Sequence, residues 1–272
     1  MTRAAVEYGT PSGGARETAT RQGRTVVFAS GKGGVGQSAL IGLMGATLAA
    51  RGLRTLVSDA GHAFGHLHLL LGARTPVTLE AVLTAERRPG EMLTRVRDHM
   101  WLLPGAGGAE ALRGLSAVDR ARHELRMSHL HDAFDVSLVD AGPGPDDVLR
   151  AAAVRADRVV LVLIPEPAAL CDAYVVLKLI VRELPGLPVD VLVNRVAHDD
   201  EARDSFARLE LAVGRFLGHP ITWLGAVHEH AALGRAVRRP GALLAEAPPG
   251  LAIATQTLAT RLGLTAPVGE SR

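Results

Sequence analysis

The chain has 272 residues, of which 47% are hydrophobic and 21% charged. That is enough apolar material for a substantial core and too much for wholesale disorder. A formal net charge of +2, from 30 basic and 28 acidic residues, is too small to argue by itself for nucleic acid or lipid as a partner. The single cysteine, Cys171, excludes an intramolecular disulfide, a cysteine-based zinc finger and a complete cysteine-ligated cluster.

Residues 1–23 are rich in Gly, Thr, Ser and Arg and show no apolar periodicity, which predicts a flexible N-terminal arm. They lack the apolar stretch of a signal peptide, and the longest apolar run, Val159 to Ile164, is far too short to span a membrane. The expectation is a cytoplasmic protein. From Arg24 onward, β-branched runs predict strands at Thr25–Ala29, Thr55–Asp59, Trp101–Leu103, Val136–Asp140, Arg158–Ile164, Val189–Asn194 and Thr222–Gly225. Helical patterns lie between them. The first, Gln37–Arg51, carries Leu40, Leu43, Met44, Thr47 and Leu48 on one face. The others cover about 109–131, 145–155, 168–183, 199–217, 230–238 and 250–262.

Strand–helix alternation over the whole length implies βαβ units. With aromatics at only 3%, the core must be built from Leu, Val and Ala, which suits a parallel sheet under packed helices. The expected fold is α/β: one doubly wound domain over residues 24–264, with a mainly parallel sheet of seven or eight strands, followed by a tail at 265–272.

The strongest local signal runs from strand through loop into helix: Thr25-Val-Val-Phe-Ala-Ser-Gly31-Lys32-Gly33-Gly34-Val35-Gly36-Gln37-Ser38. Glycines there let backbone N–H groups converge on phosphate oxygens at the positive end of a helix. A tight turn that is merely glycine-rich is the bland alternative. Two phosphate-binding patterns fit the same residues. Gly31, Gly33 and Gly36 match a dinucleotide fingerprint, with Asp59 ending the next strand where a ribose-binding acid belongs. Gly31 to Ser38 equally match a P-loop in which glutamine stands at the lysine position. Lys32 favours the nucleoside-triphosphate reading. So does Asp140, which ends an apolar strand before Gly142-Pro143-Gly144 and suits an acid that holds a metal-bound water.

Lys32-Gly-Gly-Val-Gly-x-Ser resembles the deviant Walker A loop of the MinD/ParA ATPases. Further matching segments are His68-Leu-Leu-Leu-Gly72, Leu102-Leu-Pro-Gly-Ala-Gly-Gly108, Phe134 to Asp140, Pro165 to Tyr174, Val193-Asn-Arg-Val196, and Arg215-Phe-Leu-Gly218 with Leu224-Gly225. They extend the resemblance over residues 24–263, and it is nearest to the flagellar-number regulators of the FlhG/FleN type. The resemblance implies a P-loop NTPase of the SIMIBI type that binds ATP or ADP with Mg2+. Gly31, Gly33, Gly34, Val35, Gly36, Gln37 and Ser38 would cradle the phosphates. Ser38 and Asp140 would hold the metal, Asn194 would read adenine, and Lys32 would reach the nucleotide of a partner copy. Lys32, Asp59 and Asp140 are the implied catalytic residues.

Implied partners are a second copy when ATP is bound, or a paralogue in a mixed dimer. An SRP-type flagellar GTPase, a switch-ring protein and a transcription activator are also implied. The family's basic amphipathic C-terminal helix is poorly matched by Leu251–Leu262, with Arg261 as its only base, so membrane binding is expected to be weak or absent. DNA is not the expected partner: the arginine clusters at Arg113–Arg126 and Arg235–Arg239 read as solvated helix faces.

Four departures from the family pattern matter. Gln37 removes the P-loop ammonium, and losing a charge-assisted bond to phosphate should weaken triphosphate binding by roughly 10- to 100-fold. Gly61 stands where the family has its water-orienting acid, a change that typically costs about 10²- to 10⁴-fold in rate. His66 and His68 replace a family Asn and Asp, and His228-Glu229-His230 replaces its Pro-x-Asp. Whether the chain hydrolyses ATP is therefore open. The sequence supports a nucleotide switch with weakened binding and impaired hydrolysis, a non-enzymatic interaction protein on the same fold, or a ParA-like DNA-partition ATPase.

His62-x-x-x-His66-x-His68 has metal-ligand spacing, but no acid or cysteine adjoins it, and a polar loop is the simpler reading. His123, His129, His131 and His219 read as solvated, Asp199-Asp200-Glu201 as a helix N-terminus, and Cys171 as a packed core residue.

Overall fold

The computed structural model describes residues 23–60, 65–74, 82, 88–105, 116–144, 151 and 156–264. The expected N-terminal arm apart from Gly23, residues 109–115 of the expected helix at 109–131, the helix at 145–155 apart from Ala151, the tail, Gly61 and His62 lie outside the described residues.

Eight strands form one sheet: β1 (Arg24–Ser30), β2 (Thr55–Asp59), β3 (Thr94–Arg97), β4 (Met100–Leu103), β5 (Val136–Pro143), β6 (Arg158–Leu163), β7 (Val189–Val196) and β8 (Thr222–His228). Their order is β3-β4-β2-β5-β1-β6-β7-β8. All neighbours are parallel except β3 and β4. The expected mainly parallel, doubly wound sheet is thus observed. The central strands are buried on both faces, which is why they read as unbroken apolar runs. Strand β3 was not expected. Thr-Arg-Val-Arg is short, lies at the sheet edge and alternates with arginine, so its apolar signal is one residue, Val96.

The helices are α1 (Gln37–Ala49), α2 (Leu67–Leu71), α3 (Ala117–Asp132), α4 (Pro167–Glu183), α5 (Asp199–Leu217), α6 (Ala231–Ala236), α7 (Leu243–Glu246) and α8 (Pro249–Arg261). One face of the sheet packs Phe28, Leu138 and Leu192 against α1 and α8. The other packs Val27, Val139, Leu161 and Val191 against α4 and α5. Helix α1 differs from the expected one-faced helix. Ile41, Gly42, Gly45 and Ala46 are buried along with Leu40, Leu43, Met44 and Leu48, because α8, α7 and α2 cover its outer side. The α8 docking surface consists of Leu251, Thr255, Leu258 and Ala259, with the Thr255 hydroxyl 2.8 Å from that of Thr47. No helix among the described residues is long and apolar enough to cross a membrane.

Two further expectations are corrected. Cys171 is exposed on α4, since Ala169, Ala173, Val176, Leu177 and Ile180 supply the buried stripe and Cys171 points away from it. His131 is only 3% exposed at the end of α3. Burial lowers its imidazole pKa to about 4, against a smaller upward pull from Asp132.

Candidate phosphate-binding site

Strand β1 is flanked by β5 on one side and β6 on the other, with the chain winding outward in both directions. Loops at the carboxyl ends of such strands meet in a crevice, the usual ligand position of an open α/β sheet. The glycine loop, residues 31–36, lies there between β1 and α1. Two glycines are dictated by geometry. A Cβ on Gly31 would lie 2.3 Å from the backbone carbon of Asp172, so α4 can pack this close only against glycine. Gly36 has φ +86°, and a Cβ there would lie 2.5 Å from Asn194 Nδ2. Gly33 and Gly34 are exposed, and Val35 is buried as the loop's anchor.

Gly36 is also the N-cap of α1, offers no side-chain cap, and is followed by a first turn without an acid. The positive end of α1 is therefore unneutralised and turned toward the loop, which suits an anion. Behind it, the Gln37 carboxamide is buried and donates from Nε2 to Phe28 O at 3.1 Å and to Asp140 Oδ1 at 2.5 Å. Its Oε1 has no hydrogen-bond partner. Ser38 also hydrogen-bonds to Asp140, and Gly142 N donates to Asp140 Oδ1 at 3.3 Å. Burial raises the Asp140 pKa above the ordinary aspartate range. The hydrogen bonds from Ser38, Gln37 and Gly142, and the nearby charge of His66, offset only part of that rise. A hydroxyl beside a carboxylate at the foot of an open anion cradle is a donor set that fits Mg2+ on a phosphate. The residues present fit a nucleotide and its metal, with the neutral Gln37 amide in the first turn of α1.

Asp59 ends β2 directly opposite Asp140 in the β2–β5 register. It is 8% exposed, and its Oδ2 accepts a hydrogen bond from Leu67 N at the start of α2 at 3.2 Å. Gly65 and Gly105 press on its carboxyl so closely that a Cβ on either would come within 3.0 Å. Lys32 ion-pairs with Glu166 of its own chain at 2.7 Å, just before α4. Asn194 Nδ2 donates to Val35 O at 2.7 Å and holds the loop from β7.

Sequence reasoning missed the charged partners. Glu166 takes Lys32. Arg195 donates from Nε to Glu229 Oε2 at 2.6 Å and reaches Gly34 O of the loop at 3.3 Å. Arg195 holds φ +59°, a left-handed conformation that non-glycine residues rarely adopt and that collects at functional sites. The available signal was positional: Glu166, Arg195 and Glu229 all lie at or just beyond the carboxyl ends of β6, β7 and β8. His228, in the segment that departs from the family, pairs with Asp199 at 3.3 Å, and Asp199 opens α5 as expected.

The doubly wound sheet and the open glycine loop at its crevice define a P-loop nucleotide-binding fold. No family model matches the chain. It is 31% identical over 264 residues to the chloroplastic septum site-determining protein MinD homolog of Arabidopsis thaliana, covering 90% of this chain and 76% of that protein. The chain belongs to the MinD/ParA family. It is also 28% identical over 214 residues to the flagellum site-determining protein YlxH of Helicobacter pylori, covering 78% of this chain and 72% of that protein. With the antiactivator FleN of Pseudomonas aeruginosa it shares 27% identity over 220 residues, 81% and 79% of the two chains. Two solved structures share the fold. The ATP complex of McdA from Cyanothece has TM-score 0.71 at 18% identity, covering 91% of this chain and 99% of that one. MinD of Pyrococcus horikoshii with Mg-ADP has TM-score 0.67 at 20% identity, covering 90% and 99%.

Proposed function

We propose that this chain is a cytoplasmic nucleotide switch of the flagellum-regulating branch of the MinD/ParA family, with weakened ATP binding and impaired hydrolysis. The observation that carries the proposal is the buried Gln37 amide, hydrogen-bonded to Asp140 where the family pattern has a lysine. Branch membership is supported by the likeness to YlxH and FleN. Gly33, Gly34, Val35 and Gly36 offer N–H groups to phosphate oxygens. Ser38 and Asp140 hold Mg2+, Asn194 reads the base, Asp59 fixes the loop that starts α2, and Lys32 serves a partner copy once it leaves Glu166. Mg·ATP, when bound, supplies the charge that holds two copies, or this chain and a paralogue, face to face. Regulation of a transcription activator, a switch-ring protein or a flagellar GTPase follows from the same likeness.

Calorimetry with Mg·ATP tests this. Wild type should bind weakly, and Gln37→Lys should tighten binding by about 10- to 100-fold. Phosphate release should stay well below about 1 s⁻¹ in wild type. It should rise clearly only when Gln37→Lys is combined with Gly61→Asp. One observation favours a second reading, an interaction protein that has lost nucleotide: Gln37–Asp140, Lys32–Glu166 and Arg195–Glu229 satisfy the site's charged groups internally. Absence of binding in wild type and Gln37→Lys alike would establish that reading instead.

A further inference from the structure

A second cleft, of about 260 Å³, lies on the opposite flank from β3, where the free edge of β8 runs between α5 and α8. Its floor is Gly225 and Ala226, and its walls carry Arg203 and Trp223 on one side and Leu258 and Arg261 on the other. The edge is interrupted there. Pairing with β7 steps from Trp223 to Gly225, leaving Leu224 bulged, and Arg261 Nη1 donates to the Leu224 carbonyl at 2.6 Å. The bulge and the Leu224 carbonyl already taken by Arg261 make the outer edge irregular here, so an added β-strand is not the ligand this edge accepts.

What the cleft presents is cationic and apolar. Arg203 lies with its guanidinium 5.8 Å from the centre of the Trp223 ring, which is itself braced edge-on by Phe206 at 5.3 Å. Among the described residues neither Arg203 nor Arg261 has a carboxylate within ion-pair distance. Asp204, next to Arg203, pairs with Arg208, and Asp199 at the rim pairs with His228. Ala254 lines the α8 wall half-buried with Leu258 fully buried behind it, and Ile253, one turn from Thr257 of that wall, is 69% exposed. Two planar guanidiniums with no carboxylate partner among the described residues match a carboxylate, and the half-buried Trp223 ring and Ala254 are the apolar surface beside them. Both arginines are exposed. A free anion would gain only about 0–1 kcal/mol from each such group, so the ligand must also bury apolar surface.

We propose that this cleft docks an acidic segment of a partner protein, which sets a carboxylate between Arg203 and Arg261 and an apolar side chain against Ala254 and the Trp223 ring. The site is separate from the glycine loop and needs no nucleotide.

The experiment uses the full chain in a Trp101→Phe background, where Trp223 is the only indole and reports on the cleft. It is titrated without nucleotide with the blocked peptide acetyl-Asp-Leu-Glu-Leu-Asp-amide. Trp223 emission should change saturably below about 1 mM peptide. Affinity should fall about three- to fivefold in Arg203→Gln, whose side chain is exposed. It should fall similarly at about 0.5 M salt, which screens exposed charges. Arg261→Gln, checked by circular dichroism, should weaken binding as well. No saturable response, or equal binding of the Asn/Gln version of the peptide, overturns the proposal. So does an Arg203-dependent response to inorganic phosphate with none to the peptide, which would mark a small-oxyanion site.

Discussion

The two halves of the loop's surroundings handle charge in opposite ways. On the side of α1 and β5 the polar groups are buried: Gln37 is 5% exposed and Asp140 4%. There a neutral amide stands beside a carboxylate whose burial favours its protonated form. On the side of α4, β7 and β8 the cations remain, as Lys32–Glu166 and Arg195–Glu229, with every partner side chain between 34% and 54% exposed. An ammonium held in the buried half must be matched by a counter-charge at close range, whereas a neutral amide needs only hydrogen bonds. Exposed pairs cost little to make or break, about 0–1 kcal/mol each. The buried half therefore sets how the loop is built, and the exposed half is where its charges can be exchanged.

Six substitutions would break or sharpen that contrast. The largest effect is expected at the seam between the halves. Gly31→Ala drives a methyl into the backbone of α4, and chemical denaturation should show a loss of about 3 kcal/mol. A full-stability Gly31→Ala protein would mean that α4 does not clamp the loop.

The rule that burial favours the neutral form can be checked away from the loop, at His131. An unfolded histidine takes up its proton near pH 6.5, and the folded one only near pH 4. Between those values the unfolded state binds more protons, so stability present above about pH 6.5 is lost as pH falls toward 4. The full shift corresponds to about 3 kcal/mol. His131→Leu should flatten the fall in denaturation midpoint between pH 7 and pH 5. An unchanged slope would show that other groups carry it.

Gln37→Leu should cost about 1–2 kcal/mol, because Asp140 and the Phe28 carbonyl lose a buried donor while the unpartnered Oε1 goes with it. Mg2+-dependent nucleotide binding by wild type should also weaken as pH falls through the raised Asp140 pKa. Glu166→Gln and Glu229→Gln should each change stability by less than about 1 kcal/mol. Glu166→Gln should nonetheless free Lys32 and promote ATP-dependent dimerisation measured by gel filtration. Lys32→Ala should abolish that gain, and a Glu166→Gln protein as monomeric as wild type would remove the pair from any switching role.

The glycine loop, the acids that end β2 and β5, and seven of the eight strands were legible from local order alone. Strand periodicity, a glycine-rich strand-to-helix junction and an acid at a strand's carboxyl end are properties of short segments. The glutamine that opens α1 was legible for the same reason. Its consequence was not, because the amide's bond to Asp140 joins positions 103 residues apart. Lys32–Glu166 spans 134 residues and Asn194–Val35 spans 159. No periodicity encodes such pairs. They arise when parallel strands bring their carboxyl ends together.

The same distinction accounts for the misread burials. Sequence pattern shows that α1 carries a leucine-rich face, but only the packing of α8, α7 and α2 over its other side decides that the whole helix is interior. His131, near the end of a polar helix, looks solvated in sequence and is buried in the fold. Local chemistry determined the fold class and the cradle. Which charges survive inside it, and which partner each one holds, was decided by tertiary contacts, because the cost of a charge depends on the burial that only those contacts create.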